Sequence, residues 1–168
     1  MPRYKAVVAY DGSEFFGFQV QTKNGVERQR TVQGELNRAV NQMAKQPTPA
    51  IKVVGASRTD TGVHAFGQVV HFDLPFDIQP EGVRKGLNTL LPRDIMIKQV
   101  TKVADDFHAR FNTHAKRYSY RVSTQDFTDP FKRHYTGHFQ WRLDVTRIQT
   151  ALPDLLGEHD FASFAASG

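Results

Sequence analysis

The sequence contains no cysteine, which excludes disulfides, thiol nucleophiles and cysteine-based zinc sites and fits a reducing compartment. Nowhere does it carry the roughly 20 consecutive apolar residues needed to span a bilayer. The opening Met1-Pro2-Arg3-Tyr4-Lys5 leads into a short strand-like run, not into a signal peptide. A cytoplasmic protein with no membrane partner is therefore expected. A GxxxxGK phosphate loop is also lacking, and so is a Cys/His metal cluster. His134 and His138 do stand in an HxxxH spacing, but their segment reads as a strand and no third ligand accompanies them. No metal is expected there.

What is present begins with enough apolar side chain, 39% of 168 residues, to build a core in one domain or two small ones. Lys and Arg number 22 against 17 Asp and Glu, a formal net charge of +5. That balance permits a polyanionic partner without demanding one. Its placement is more informative. Arg28 and Arg30 share a loop with Lys23, and Lys116, Arg117 and Arg121 interleave with Tyr118 and Tyr120. Cations beside exposed rings suit phosphate contacts next to stacked bases.

Read in order, residues 4–10 form a strand that Asp11-Gly12 turns out of. Residues 13–30 form a long loop in which Phe15, Phe16 and Phe18 require cover, most simply by folding back on the core. Thr31 is placed to cap a helix carrying Val32, Leu36, Val40 and Met43 at helical spacing, stopped by Gln46-Pro47. Strands are expected at about 50–56 and 65–73. Pro80 opens a second helix with Val83, Leu87, Leu90 and Leu91 as its apolar stripe, and residues 94–103 give another strand. The order β-α-β-β-α-β predicts an α+β fold on the ferredoxin-like plan, with an antiparallel sheet. A first domain is expected over 1–104. From 105 a second α+β unit is expected to begin, with strands at about 114–123 and 134–141. Asp144 then caps a helix that buries Val145, Ile148, Leu152 and Leu155, with Pro153 as a break or kink.

Between the strands at 50–56 and 65–73 lies Ser57 to Ala65, SRTDTGVHA, with Asp60 flanked by Thr59 and Thr61. A lone Asp-Thr-Gly is ordinary turn chemistry, since Asp bonds its own backbone and Gly supplies a positive φ. The same triplet serves aspartic proteases, where two carboxylates share a proton. Only one copy occurs here, and Ser57 and Arg58 stand where an apolar strand should lead into it. The protease reading fits badly.

The whole octapeptide Arg58-Thr59-Asp60-Thr61-Gly62-Val63-His64-Ala65 closely resembles the active-site motif of the tRNA pseudouridine synthase A (TruA) family. Further pieces agree in order: Tyr10-Asp11-Gly12 with Phe15, Gly17, Phe18, Gln19 and Gln21; Thr31-Val32-Gln33; Ala109-Arg110-Phe111; Lys116 to Tyr120; and Gly157 with His159-Asp160-Phe161. The resemblance spans about residues 4–168. It implies tandem ferredoxin-like units, a homodimer, and isomerisation of uridines 38 to 40 of the tRNA anticodon stem-loop without a cofactor.

By that resemblance Asp60 is the nucleophile, attacking uracil C6 or ribose C1′. Arg58 fills the space left by the flipped base or contacts a phosphate. Tyr118 stacks on the target uracil and is the candidate base for the C5 proton. Arg28, Arg30, Lys116 and Arg117 are the expected RNA contacts. Members of the family are longer, and a further segment carries an Arg that pairs with the catalytic Asp. The chain is accordingly expected to lack the C-terminal part, leaving the second unit (105–168) incomplete. A non-catalytic RNA-binding module, or an inactive fragment of such an enzyme, is the alternative that this departure leaves open.

Overall fold

The alternation of YKAVVAY is realised as β1, Arg3–Tyr10, in which Tyr4, Ala6, Val8 and Tyr10 are buried while Arg3, Lys5, Val7 and Ala9 face the other way. A computed structural model describes residues 1–23 and 25–164. In it, β1 leads through a long loop and the small ladder of β2 (Thr22–Lys23) and β3 (Val26–Glu27) to the first helix, α1, Val32–Met43. Thr31 caps α1 as its sequence position requires, its hydroxyl accepting from the Gly34 amide at 3.2 Å. Val32, Leu36, Ala39 and Val40 form the buried stripe.

After α1 come β4 (Val54–Gly55), β5 (Ala65–Asp73), α2 (Pro80–Leu90) and β6 (Ile95–Val103). The four long-range strands make one antiparallel sheet in the order β4-β5-β1-β6. Both helices supply side chains to a single core with the inward residues of β1, β5 and β6, including Val70, Phe72, Val83, Leu87, Ile95 and Ile97. One face of the sheet is thus covered by helices. The expectations for β1, β5, α1, α2 and β6 agree with these elements to within about three residues, because helix and strand ends fray.

The strand expected at 50–56 shrinks to Val54–Gly55. The physical reason is that side chains of α1 replace the ladder. The Asn41 amide accepts from Ile51 N–H at 2.8 Å and donates to Ile51 O at 2.7 Å, Asn37 accepts from Val53 N–H at 2.8 Å, and Gln33 donates to Val53 O at 2.7 Å. Asn41 is fully buried. Truncation to Ala leaves the Ile51 donor and acceptor unsatisfied inside the protein, so Asn41→Ala is expected to lose about 3 kcal/mol. Urea unfolding at constant m-value checks this.

On the opposite face, residues 104–113 pack as a strap across one end of the sheet. The Ala109 amide donates to His71 Nδ1 at 3.1 Å, and Arg3 donates to Phe107 O at 2.9 Å while gripping the Asp73 carboxylate with 2.7 and 2.8 Å bonds. The His71 ring meets those of Phe107 and His108. Burial, then the neighbouring His108 and Arg3 charges, push the His71 pKa below its ordinary value, with Asp73 opposing. The neutral ring is therefore the folded form. Its stabilisation is complete above the unfolded histidine pKa of about 6.5 and is lost as pH falls from there through the lowered folded value. The melting temperature is expected to drop between about pH 7.5 and about pH 5, and to drop less in His71→Asn, whose amide oxygen still accepts but does not titrate. A pH series of thermal melts on both proteins decides it.

The compact unit containing this sheet extends from Met1 to Lys116, and a second begins at Arg117. The strap therefore packs with the first unit, although the sequence reading starts a new domain at 105. Within the second unit, β7 (Val122–Ser123) and β8 (Gly137–His138) pair in parallel, and α3 (Val145–Ala151) starts at an Asp144 cap, whose carboxylate accepts from the Arg147 amide at 3.0 Å. The strands expected at 114–123 and 134–141 reduce to these two pairs. Pro153 does break the helix, which tightens into a 3₁₀ turn over Leu152–Leu155. The expected burial of Val145, Ile148, Leu152 and Leu155 is not found; all four are exposed. Among the described residues from 117 onward none is buried. So short a segment does not enclose a core of its own. Among the described residues the fold is α+β, with a four-stranded antiparallel sheet and three α-helices, and no helix there is long and apolar enough to cross a membrane.

Candidate active site

Asp60 sits in the loop between β4 and β5, at the end of the sheet where β1 finishes and β6 starts. The loop is polar and exposed, yet it is fixed at nearly every step. Ala56 N–H bonds Val69 O at 2.8 Å, and the buried Gln68 donates to Ser57 O at 2.8 Å. Thr59 is held twice, its carbonyl accepting from Phe18 N–H at 2.9 Å and its hydroxyl 2.8 Å from the Tyr10 phenol oxygen. Past Asp60 the chain makes a tight turn, Val63 N–H to Asp60 O at 3.2 Å, with Gly62 at φ +79°. A residue with a side chain is disfavoured there, so glycine follows from the turn itself.

The first long loop provides the other half of the clamp. Gly62 N–H reaches Phe15 O at 3.2 Å, and the Gly12 amide donates to His64 Nδ1 at 3.0 Å. Contact is so close that a Cβ on Gly12 would lie 2.1 Å from Val63 O, and one on Gly17 2.8 Å from Thr59 O. Phe15 and Phe18 are buried and anchor this loop in the core, whereas Phe16 is half-exposed. The expected folding back therefore holds for two of the three rings. Asp11 stays close by, accepting from the amide and hydroxyl of Ser13 at 3.0 and 2.7 Å.

This arrangement presents a carboxylate on a rigid, water-exposed turn. Within the first unit and among its described residues, no side chain donates to the Asp60 carboxylate, and Arg58 is exposed two residues before it on the same loop. Such a group suits nucleophilic attack on a substrate that supplies the rest of the enclosure.

The residues read as RNA contacts divide. Arg28 is exposed on the first loop. Arg30 is half-exposed and already engaged by the fold, forked onto Asp94 at 2.7 and 3.0 Å, bonded to Glu35 at 3.0 Å and stacked 4.2 Å from the centre of the Phe15 ring. Its hydrogen bonds to Asp94 and then Glu35 raise the guanidinium pKa further. Arg30 thus ties the loop that clamps Asp60 to α1 and to the approach of β6. Lys116 closes the first unit and is exposed; Arg117 and Tyr118 open the second and are exposed as well. Sequence reasoning missed Tyr10, Gln68, Gly12 and Gly17 as holders of the Asp60 loop. The two glycines inside an otherwise aromatic and polar loop were the available signal.

The chain is matched over residues 6–112, which include this clamped loop, by the family model described as tRNA pseudouridine synthase. The chain belongs to that family. Among its relatives are proteins named tRNA pseudouridine synthase A from Leuconostoc citreum and Leuconostoc mesenteroides, 85% and 79% identical over the whole chain. A third protein of that name, from Lactiplantibacillus plantarum, is 57% identical over 99% of it. The chain spans 65%, 66% and 62% of the lengths of these three relatives.

Proposed function

We propose that the chain isomerises uridine to pseudouridine in the anticodon stem-loop of tRNA, at positions 38 to 40, with Asp60 as nucleophile. The observation that carries this is Asp60 itself: it stands in the octapeptide that resembles the family's, on a loop fixed by β1, by β5 and by the clamp of the first loop. Asp60 adds to uracil C6 or to ribose C1′ as the bond from N1 to C1′ breaks. The base turns and C5 bonds to C1′; the Asp60 oxygen leaves C1′ as that bond forms, or is expelled from C6 afterwards, and the C5 proton passes by way of Tyr118 to solvent while N1 takes one up. Electrons balance within the substrate, so no cofactor is required. The target is extruded from its stem, at a cost of a few kcal/mol that protein contacts must offset. Arg58 occupies the vacated space, and Tyr118 stacks on the uracil and accepts the C5 proton. Arg28, Lys116 and Arg117 contact phosphates, while Arg30 positions the loop beside them.

The same reading extends to a homodimer in the cytoplasm, and to two ferredoxin-like domains, 1–104 and 105–168, with 105–116 as a connector packed on the first. Support for the first domain's plan is its β-α-β-β-α-β order with one antiparallel sheet. A second reading, a non-catalytic RNA-binding module, is favoured by the lack of any buried residue among the described ones of the second unit. Release of tritium from anticodon stem-loop RNA labelled at uridine C5 separates the two. Release supports the isomerase; bound RNA with no release supports the module.

A further inference from the structure

The sheet face away from the helices is covered by the strap at one end only. At the other end, where the Asp60 loop enters β5, a row of four residues lies open. Ala9 pairs with Met96 on one side, and on the other β1 meets a register shift between Val8 and Tyr10. Val8 pairs with Gln68 and Tyr10 with Ala65, which leaves Phe66 and Gly67 together opposite Ala9. Such a bulge re-aims the side chain it carries. Phe66 is 77% exposed and Met96 50%, and the two small residues Gly67 and Ala9 lie between them. With strands about 4.8 Å apart, the row is about 10 Å wide.

Two tall apolar side chains flank two small ones, and the exposed Phe66 ring offers a planar partner a face to stack on. The surroundings fix which kind. Lys98 is exposed at the adjoining register shift of β6, and its ammonium reaches across β1 to donate to Phe66 O at 3.2 Å, a surface bond that a phosphate would replace. Arg58 is exposed on the loop that runs into β5. The row contains no carboxylate, and Asp94 at the start of β6 is neutralised by Arg30. An aromatic ring with cations beside it is the arrangement that stacks a base and contacts its phosphate.

We propose that Phe66, Gly67, Ala9 and Met96, with Lys98, form a stacking subsite for an unpaired nucleotide next to the uridine presented to Asp60. This rests on the proposed tRNA reading and adds a nucleotide that the protein holds besides its target. The subsite steadies the strand while the target base is out of its stack. It tolerates any base, since every base presents a flat face.

The test uses the 168-residue chain with anticodon stem-loop RNAs carrying 2-aminopurine at successive loop positions, whose fluorescence falls on stacking. One loop position is expected to be quenched by the wild-type chain. Phe66→Ala is expected to abolish that quench and weaken binding about 5- to 150-fold, the range for one lost stacked base. Phe66→Trp restores both, whereas Phe66→Leu, apolar but not planar, does not. Melting temperatures stay at the wild-type value because the ring is exposed. Unchanged affinity and quench in Phe66→Ala overturn the subsite while leaving the tRNA reading intact. No binding of the stem-loop by the wild-type chain overturns both. Equal loss in Phe66→Ala for stem-loop and for fully paired duplex also overturns the subsite, since a paired nucleotide has no free face to stack.

Discussion

If the proposed isomerase function holds, Asp60→Ala is expected to lower tritium release from C5-labelled stem-loop RNA by at least about 10⁴-fold, the scale on which removal of a nucleophile acts. RNA affinity should stay within about twofold, because a carboxylate facing a polyanion contributes nothing favourable to binding. The melting temperature should not move, since Asp60 is exposed and its backbone bond to Val63 survives the change. This combination is diagnostic. A folding defect lowers turnover and stability together, and a lost RNA contact lowers affinity. Asp60→Asn keeps shape and removes charge, and should be as inactive as the alanine variant, because the reaction requires an anionic oxygen. Turnover by either variant within tenfold of wild type would remove Asp60 from its assigned role.

Gly12→Ala is expected to have the second largest effect, through geometry and not through chemistry. The added Cβ would lie 2.1 Å from Val63 O and 2.5 Å from its carbonyl carbon. Both are backbone atoms, so no side chain can rotate out of the way. Either the first loop lifts, breaking the Gly12 bond to His64, or the 60–63 turn shifts and carries Asp60 with it. A displacement of about 1 Å in a reacting group costs about 100-fold in turnover, and overpacking costs about 1–3 kcal/mol of stability. The variant should therefore bind RNA, melt a few degrees lower and turn over about 100-fold more slowly than wild type. Wild-type turnover in Gly12→Ala would show that the clamp on the loop is irrelevant to catalysis. The same logic assigns Tyr10 a lesser part, since its phenol touches Thr59 through one hydrogen bond.

Much of the first unit was legible because its elements carry their own local signals. Period-two alternation in β1, the Thr31 cap with its stripe from Val32 to Val40, and Pro80 at the head of α2 each depend on nearest neighbours along the chain. The octapeptide around Asp60 was equally legible, since a motif is a local fact. Residues 51–53 were not. Their β-branched composition signals a strand, but Asn37, Asn41 and Gln33 of α1 took over their backbone bonds, and which helix faces which strand is decided only on folding. Arg30 shows the same limit. A basic residue in a loop reads as a phosphate contact, and only the fold brings Asp94, distant by 64 positions, onto its guanidinium.

The second unit marks the opposite case. Helical spacing in Val145, Ile148, Leu152 and Leu155 specifies an apolar stripe without supplying the surface that buries it, and among the described residues no such surface is present. By itself, then, the sequence determined the elements of the first unit, the carboxylate and the family, because these are encoded at short range. Tertiary structure alone decided what holds Asp60 still and leaves Phe66 open beside it. Glycine contacts between two loops, a strap across one end of a sheet and a bulge at the other arise from residues far apart in the chain, where no local pattern records them.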